Sequence, residues 1–490
     1  LHVKLINYSS TKIAVTLSLL LLSFGPVRAQ DLASEVPHDT LIKYGVYDGD
    51  RLPPSFHAGR RALLLDSMAS HSVAVLFATP EKTRSNDITY EYHQDPDFYY
   101  LTGCWEPGSA LVLSKDGIAL ANGQTVHEML FVRDRNPAAE TWTGYRLGPQ
   151  GALSALHVAS AYSIDSLPDL LTRILPNTQI LYYNPHYGKP RELIRDTLLL
   201  SDTEARAIVH NNFPNLSILT TLHQLLARFR AVKTPEELRL MRKAISISNE
   251  AHNAVIRDAR PGWYEYQIQA EAEDIFTKNG AEYTAYPCIV GSGPNSTILH
   301  YETNRRKTES GDFIEMDMGA EYHGYSADVT RSFPINGTFT PEQRKIYEIV
   351  LAAQDSGIKA CVTGAPFRAA HFAAVKVITD GLLKLGIIYD SADYRRYFMH
   401  GTSHYLGLDV HDAGLYGPLE PGNVLTVEPG IYIPAGSPCD PKWWNIGCRI
   451  EDDILVTAHG PENLSSNSPR TIAALERLLS ESRLQLHTKK

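Results

Sequence analysis

Apolar residues along the chain fall into three kinds of run, and each predicts a different element. The first is continuous: residues 13–24 are almost wholly apolar, preceded by Lys4 and Lys12 and followed by Gly25, Pro26 and the small-residue site Val27-Arg28-Ala29. About twelve residues fall short of the roughly twenty needed to span a bilayer core. A cleaved secretory signal over residues 1–29 is therefore expected, with no stable membrane insertion afterwards and a secreted or periplasmic product. The second kind runs from residue 31 to about 225, where short β-rich runs such as Val73-Ala74-Val75-Leu76-Phe77 and Ala110-Leu111-Val112-Leu113 alternate with helical stretches. That alternation predicts an α/β domain over residues 30–229.

The third kind has helical period. Thr234-Pro235-Glu236-Glu237 sets a capping residue, a first-turn proline and a reciprocal Glu in order, and Leu238, Met241 and Ile245 follow at helical spacing. A helix should begin there and a second domain near residue 230. Pro261-Gly262 breaks the pattern before a second helix over 264–278, closed by Asn279-Gly280. Further on, β-rich pairs alternate with long helical stretches at 341–360 and 367–385, which gives an α+β domain over 230–470 and a helical tail over 471–490. A length of 490 residues agrees with two domains.

Composition narrows the function by exclusion. A formal charge of −9 and the lack of any Lys/Arg run argue against a nucleic-acid partner. Five cysteines without CxxC spacing leave a disulfide scaffold and a structural zinc site unsupported. Cys439 and Cys448, which flank Asp440-Pro441-Lys442-Trp443-Trp444, are either a loop-closing disulfide or two free thiols.

The chemistry concentrates in two strand-turn-strand units. In the first, Phe313-Ile314-Glu315-Met316-Asp317-Met318-Gly319 turns through Tyr322-His323-Gly324 into Tyr325-Ser326-Ala327-Asp328-Val329-Thr330. A hairpin centred there sets Asp317 opposite Asp328, with Cβ atoms roughly 5 Å apart. In the second, Glu428 and Glu451 stand near-symmetrically about a longer loop. Carboxylates inside apolar strands should face a core unless a cation compensates them. Between the units, residues 400–412 hold His400, His404 and His411, and Gly401 excludes a helical HExxH zinc motif. Asp317, Asp328, His404, Glu428 and Glu451 thus offer four carboxylates and one imidazole. That set suits Mn²⁺ better than typical zinc donors, although Zn, Co or Fe also bind such groups. Five side chains suffice for two divalent metal ions if carboxylates bridge them at roughly 3.5–4 Å.

These residues resemble a family. Ile289-Val290-Gly291-Ser292-Gly293, Ile298-Leu299-His300-Tyr301, Phe398-Met399-His400-Gly401, His404-Tyr405-Leu406-Gly407-Leu408-Asp409-Val410-His411-Asp412, Thr426-Val427-Glu428-Pro429-Gly430 and Arg449-Ile450-Glu451-Asp452-Asp453 are similar to blocks of the aminopeptidase P and prolidase metallopeptidases. Bacterial aminopeptidase P is the nearest in pattern. The aromatic segment from Tyr92 to Gly103 resembles that family's N-terminal domain, with Pro96 as a departure at the face used in subunit contacts.

The resemblance implies an α/β N-terminal domain followed by an α+β pita-bread catalytic domain. It implies Asp317 on one metal, His404 and Glu428 on the other, and Asp328 and Glu451 bridging. It makes His300 and His411 substrate contacts that stabilise charge on the scissile carbonyl. His400 and Arg449 line the pocket for the proline side, and Glu428 shuttles a proton. The implied activity is an Xaa-Pro aminopeptidase working by attack of a metal-bridging hydroxide on peptides with proline in second position, and a homo-oligomer is expected. A strict Xaa-Pro dipeptidase and a non-catalytic pita-bread binding module are the alternatives.

Overall fold

The computed structural model describes residues 49–183, 216–219 and 221–488; the expected signal segment lies outside the described residues. Among the described residues, no helix is long and apolar enough to cross a membrane.

The N-terminal half is built on a six-stranded mixed sheet in the order Ala161–Ser163, Thr125–Val132, Ala110–Ala119, Ser72–Phe77, Ile180–Tyr183, Ser217–Leu219. Ser72–Phe77 pairs antiparallel with Ala110–Ala119 and parallel with Ile180–Tyr183. Its six residues are all buried, because both faces of the strand are covered. Val73, Val75 and Phe77 pack with Leu167, Leu170 and Leu171, whereas Ala74 and Leu76 point into the main core.

The aromatic segment contains a short helix, Pro96–Thr102, in which the Asp95 side chain accepts from Phe98 N and Gly103 closes the helix at φ 67°. Pro96 occupies the first helical position, where its missing N–H would have had no partner anyway. Phe98, Tyr99, Tyr100 and Leu101 are buried, so the segment's aromatics build core.

A helix, Leu222–Ala231, leads into the second half, and the next helix, Pro235–Asp258, starts at Thr234 with both halves of the capping box formed. Helices Glu265–Lys278, Pro341–Ala360, Ala369–Leu385 and Ile472–Thr488 follow. The last packs against Pro235–Asp258 and puts Leu475 and Leu479 into the core.

These helices back the two strand units. In the first, Phe313–Asp317 runs antiparallel to Thr330–Pro334, and the shared register continues through Glu321↔Ser326 and Tyr322↔Tyr325. The two-residue turn is His323-Gly324, with φ 50° and 83°. Both residues are left-handed, as a type I′ hairpin turn requires. This corrects the expected pairing: Asp317 faces Thr330, not Asp328. Centring the turn one residue later shifts the partner by two positions, which keeps both aspartates on one face of the hairpin but makes them diagonal neighbours.

The second unit follows the expected symmetry. Val427↔Asp452 and Gly430↔Arg449 are in one register, so the intervening positions set Glu428 across from Glu451. Cys439 and Cys448 are free thiols, with Cys448 buried on the strand Ile446–Arg449 and Cys439 in the connecting loop.

Candidate metal centre

One cavity of about 400 Å³ is lined by Asp317, Asp328, His300, His400, His404, His411, Glu428, Arg449 and Glu451, that is, by every residue the sequence singled out for the site. Asp328, His404 and Glu451 each offer a donor atom within 4.8 Å of the other two. His404 Nδ1 lies 3.0 Å from the Tyr405 carbonyl, which fixes the ring so that Nε2 faces Asp328 Oδ2 at 3.3 Å and Glu428 Oε1 at 3.6 Å. Asp317 joins the group through Tyr286, whose hydroxyl lies 2.6 Å from an oxygen of Asp317 and 2.6 Å from one of Asp328.

The electrostatics of the cluster are those of carboxylates crowded together under burial. Burial, reinforced by Asp317, raises Asp328, and burial together with Asp328, Glu428 and Asp317 lifts Glu451 well above the carboxylate range. Burial pushes Glu428 up to about 7 although His404 opposes it. Against burial, Asp328 and Glu428 carry His404 up to about 9. Carboxylates forced together in this way call for cations between them, and the donor set, mostly hard oxygen with one imidazole, fits two divalent ions.

Arg449 supplies the positive charge the fold itself contributes. Its Nη2 donates to Asp317 at 2.7 Å, Nη1 to the Tyr432 hydroxyl at 2.8 Å and Nε to Thr330 Oγ1 at 3.1 Å, and Thr330 Oγ1 in turn donates to Glu451 at 2.6 Å. His400 shares the Tyr432 hydroxyl at 2.9 Å and is driven down to about 3 by burial and by Arg449, so it is neutral. The ring of His411 stands edge-on to that of His404 with centroids 4.3 Å apart.

Several side chains that touch the site had no sequence signature. Tyr286 precedes a strand in an unremarkable Tyr-Pro-Cys stretch, and Ser403 Oγ is buried without a partner at the cavity wall. Tyr432 did leave a trace: a phenol in the wholly buried strand Gly430–Ile433 needs a polar partner, and it finds Arg449.

Residues 239–458 match the model of metallopeptidase family M24, and residues 57–182 match the aminopeptidase P N-terminal domain. The chain is 37% identical to the Xaa-Pro aminopeptidase of Haemophilus influenzae, over 88% of this chain and 98% of the relative. The chain belongs to metallopeptidase family M24. In the same family, the Xaa-Pro aminopeptidase of Escherichia coli is also 37% identical, over 87% of this chain and 98% of its own length. The solved structure of E. coli aminopeptidase P with the inhibitor Pro-Leu superposes with a TM-score of 0.80 at 36% identity, covering 88% of this chain and 99% of that one. The M24 domain described above is therefore a pita-bread fold, preceded by an aminopeptidase P N-terminal domain.

Proposed function

We propose that this chain is a dinuclear-metal Xaa-Pro aminopeptidase that releases the N-terminal residue from peptides with proline in second position. The observation that carries the reading is the convergence of Asp317, Asp328, His404, Glu428 and Glu451 on one cavity, in a chain that aligns over nearly the whole length of relatives named Xaa-Pro aminopeptidase. Asp317 would hold one ion, His404 and Glu428 the other, with Asp328 and Glu451 shared. Bound there, two divalent ions, with Mn²⁺ favoured by the oxygen-rich donors, supply a water that ionises near neutral pH and polarise the scissile carbonyl.

The remaining steps fall to the chain's own side chains. His411, lowered by burial and by its neighbours His404 and His300, is a neutral imidazole. With His300 on the same cavity it donates a hydrogen bond to the carbonyl oxygen as negative charge grows there. Glu428 takes the proton released by the attacking water and returns it to the proline nitrogen that leaves. His400 and Arg449 border the proline side, and the bonds of both to the Tyr432 hydroxyl hold them in place.

A dipeptidase would have to pair the free carboxylate just beyond proline, usually with an Arg. Among the described residues lining the cavity the one guanidinium is Arg449, already engaged by Asp317, Tyr432 and Thr330, and neither Arg133 nor Arg146 lines it. This favours cleavage of longer peptides. After reconstitution with Mn²⁺, Zn²⁺, Co²⁺ or Fe²⁺ in turn, kcat/KM is compared for Xaa-Pro and Xaa-Pro-Yaa peptides. A loss of more than about a hundredfold on extension, roughly 2.7 kcal/mol, makes it a dipeptidase, and inactivity on both defeats the peptidase reading.

Export and homo-oligomerisation belong to the same proposal. Lys4, Lys12, the apolar residues 13–24 and Val27-Arg28-Ala29 support the first, and the likeness to aminopeptidase P suggests the second. Protein recovered outside the cytoplasm should begin near Gln30, and sedimentation measures the subunit number.

A further inference from the structure

The loop that carries His404 and His411 contains no helix and no extended strand; its first part is tied to sheets by the bridge Tyr405↔Leu425 and by backbone hydrogen bonds from Leu406 N to Val424 O and from Ser326 N to Gly407 O. What fixes its far end is a buried ion cluster built from three parts of the chain. Arg230, in the last turn of the helix leading into the catalytic domain, is 3% exposed. Its Nη2 donates to Asp412 at 2.5 Å and to Asp409 at 2.9 Å, and Lys233 Nζ donates to the other oxygen of Asp412 at 2.9 Å. The remaining arm, Nη1, reaches across to the N-terminal domain and donates to Asp97 at 2.7 Å.

Asp412 is pressed against the loop it anchors: a Cβ on Gly407 would lie 2.2 Å from its Oδ2. It also follows His411 directly, whose ring stands beside that of His404 with centroids 4.3 Å apart. Counting buried charges, Arg230 and Lys233 balance Asp97 and Asp412, with Asp409 half-exposed at the edge. Neutralising Asp97 leaves Arg230 with one fully buried counter-charge, already shared with Lys233, and frees it to shift toward the loop.

We infer that Asp97 is a positioning residue for the reaction: through Arg230 and Asp412, the N-terminal domain holds loop 404–412 in the geometry that His411 needs. The inference rests on the peptidase reading above for its kinetic consequence, but its structural half does not.

The test uses the full chain loaded with Mn²⁺ and an Xaa-Pro-Yaa peptide. Asp97→Asn should lower kcat by about tenfold or more with KM within about threefold and bound metal unchanged, and amide deuterium uptake over residues 404–412 should rise while strand Ser72–Phe77 stays protected. In a His411→Ala background the same substitution should cost less than about threefold, because the geometry it protects has lost its function. Asp97→Glu, which keeps the charge, should recover most of the loss, and it is compared with wild type in the same way should Asp97→Asn fail to fold. Equal losses in both backgrounds, or unchanged exchange over 404–412, overturn the proposal. Wild-type inactivity on every Xaa-Pro peptide overturns the peptidase reading alone, and the exchange measurement still decides whether Asp97 holds the loop.

Discussion

Arg449 donates to Asp317 at 2.7 Å while its other terminal nitrogen stands 2.8 Å from Glu315, so one guanidinium serves two carboxylates two residues apart on the same strand. The contact with Glu315 has the distance of an ion pair but not hydrogen-bonding geometry, and neither Glu315 oxygen meets a donor. Burial, with Arg449 opposing and Asp317 adding, pushes Glu315 up to about 8. Raised that far, Glu315 is protonated near neutral pH, so Arg449→Ala would leave Asp317 as the buried charge without its partner. Removing one member of a buried ion pair typically costs about 3–5 kcal/mol. The variant should melt well below the parent, and Arg449→Lys should recover only part of the difference because it cannot reach Asp317, Tyr432 and Thr330 at once. A melting temperature within about two degrees of the parent for Arg449→Ala would mean the cluster is relaxed by solvent instead.

His404 and His411 stand ring to ring, yet the site predicts different fates for them. His404 faces Asp328 and Glu428 through Nε2, so His404→Ala and Asp328→Ala should both lose activity and tight metal retention. His411 lies outside the carboxylate cluster, so His411→Ala should keep its metal and lose mainly turnover, by about a hundredfold if it is an oxyanion donor. Metal content after gel filtration, measured beside kcat, separates the two. Equal metal loss in all three variants would show that the roles are not divided in this way.

How far the sequence reaches differs from residue to residue, for physical reasons. Local signals were legible: Thr234, Pro235 and Glu237 placed a helix start to the residue, because a capping box is complete within four positions. The carboxylates were legible because charge inside an apolar strand is costly and so stands out. Register was less secure: the pairing of Asp317 depended on which two residues of Tyr322-His323-Gly324-Tyr325 form the turn, and the left-handed pair proved to be His323 and Gly324. Tyr286 and the Asp97–Arg230–Asp412 cluster were invisible, since their partners lie tens to hundreds of residues away and nothing local marks them. The free thiols of Cys439 and Cys448 decide between two alternatives that spacing alone left open.

Acid stability depends in part on His57, a histidine outside the cavity lining. His57 is buried against Tyr100, with Nδ1 3.0 Å from that residue's carbonyl, and its ring fills the space where a side chain on Gly103 would go. Burial, with Arg61 and Arg60 adding to it and the carbonyl opposing, drives it from 6.5 down to about 4. The unfolded chain therefore takes up a proton below pH 6.5 that the folded protein refuses until about pH 4. Stability from this group is complete above pH 6.5 and is lost as pH falls between those values. At about 1.4 kcal/mol per unit the loss is about 3.5 kcal/mol at most. His252, also buried and also lowered to about 4, acts in the same window, so His57 accounts for part of the slope. Urea unfolding from pH 7 to pH 4.5 should show stability falling with acid, and His57→Gln, which has no proton to take up, should show a shallower fall. If the two proteins lose stability in parallel, His57 is already protonated in the folded state and the attribution is wrong.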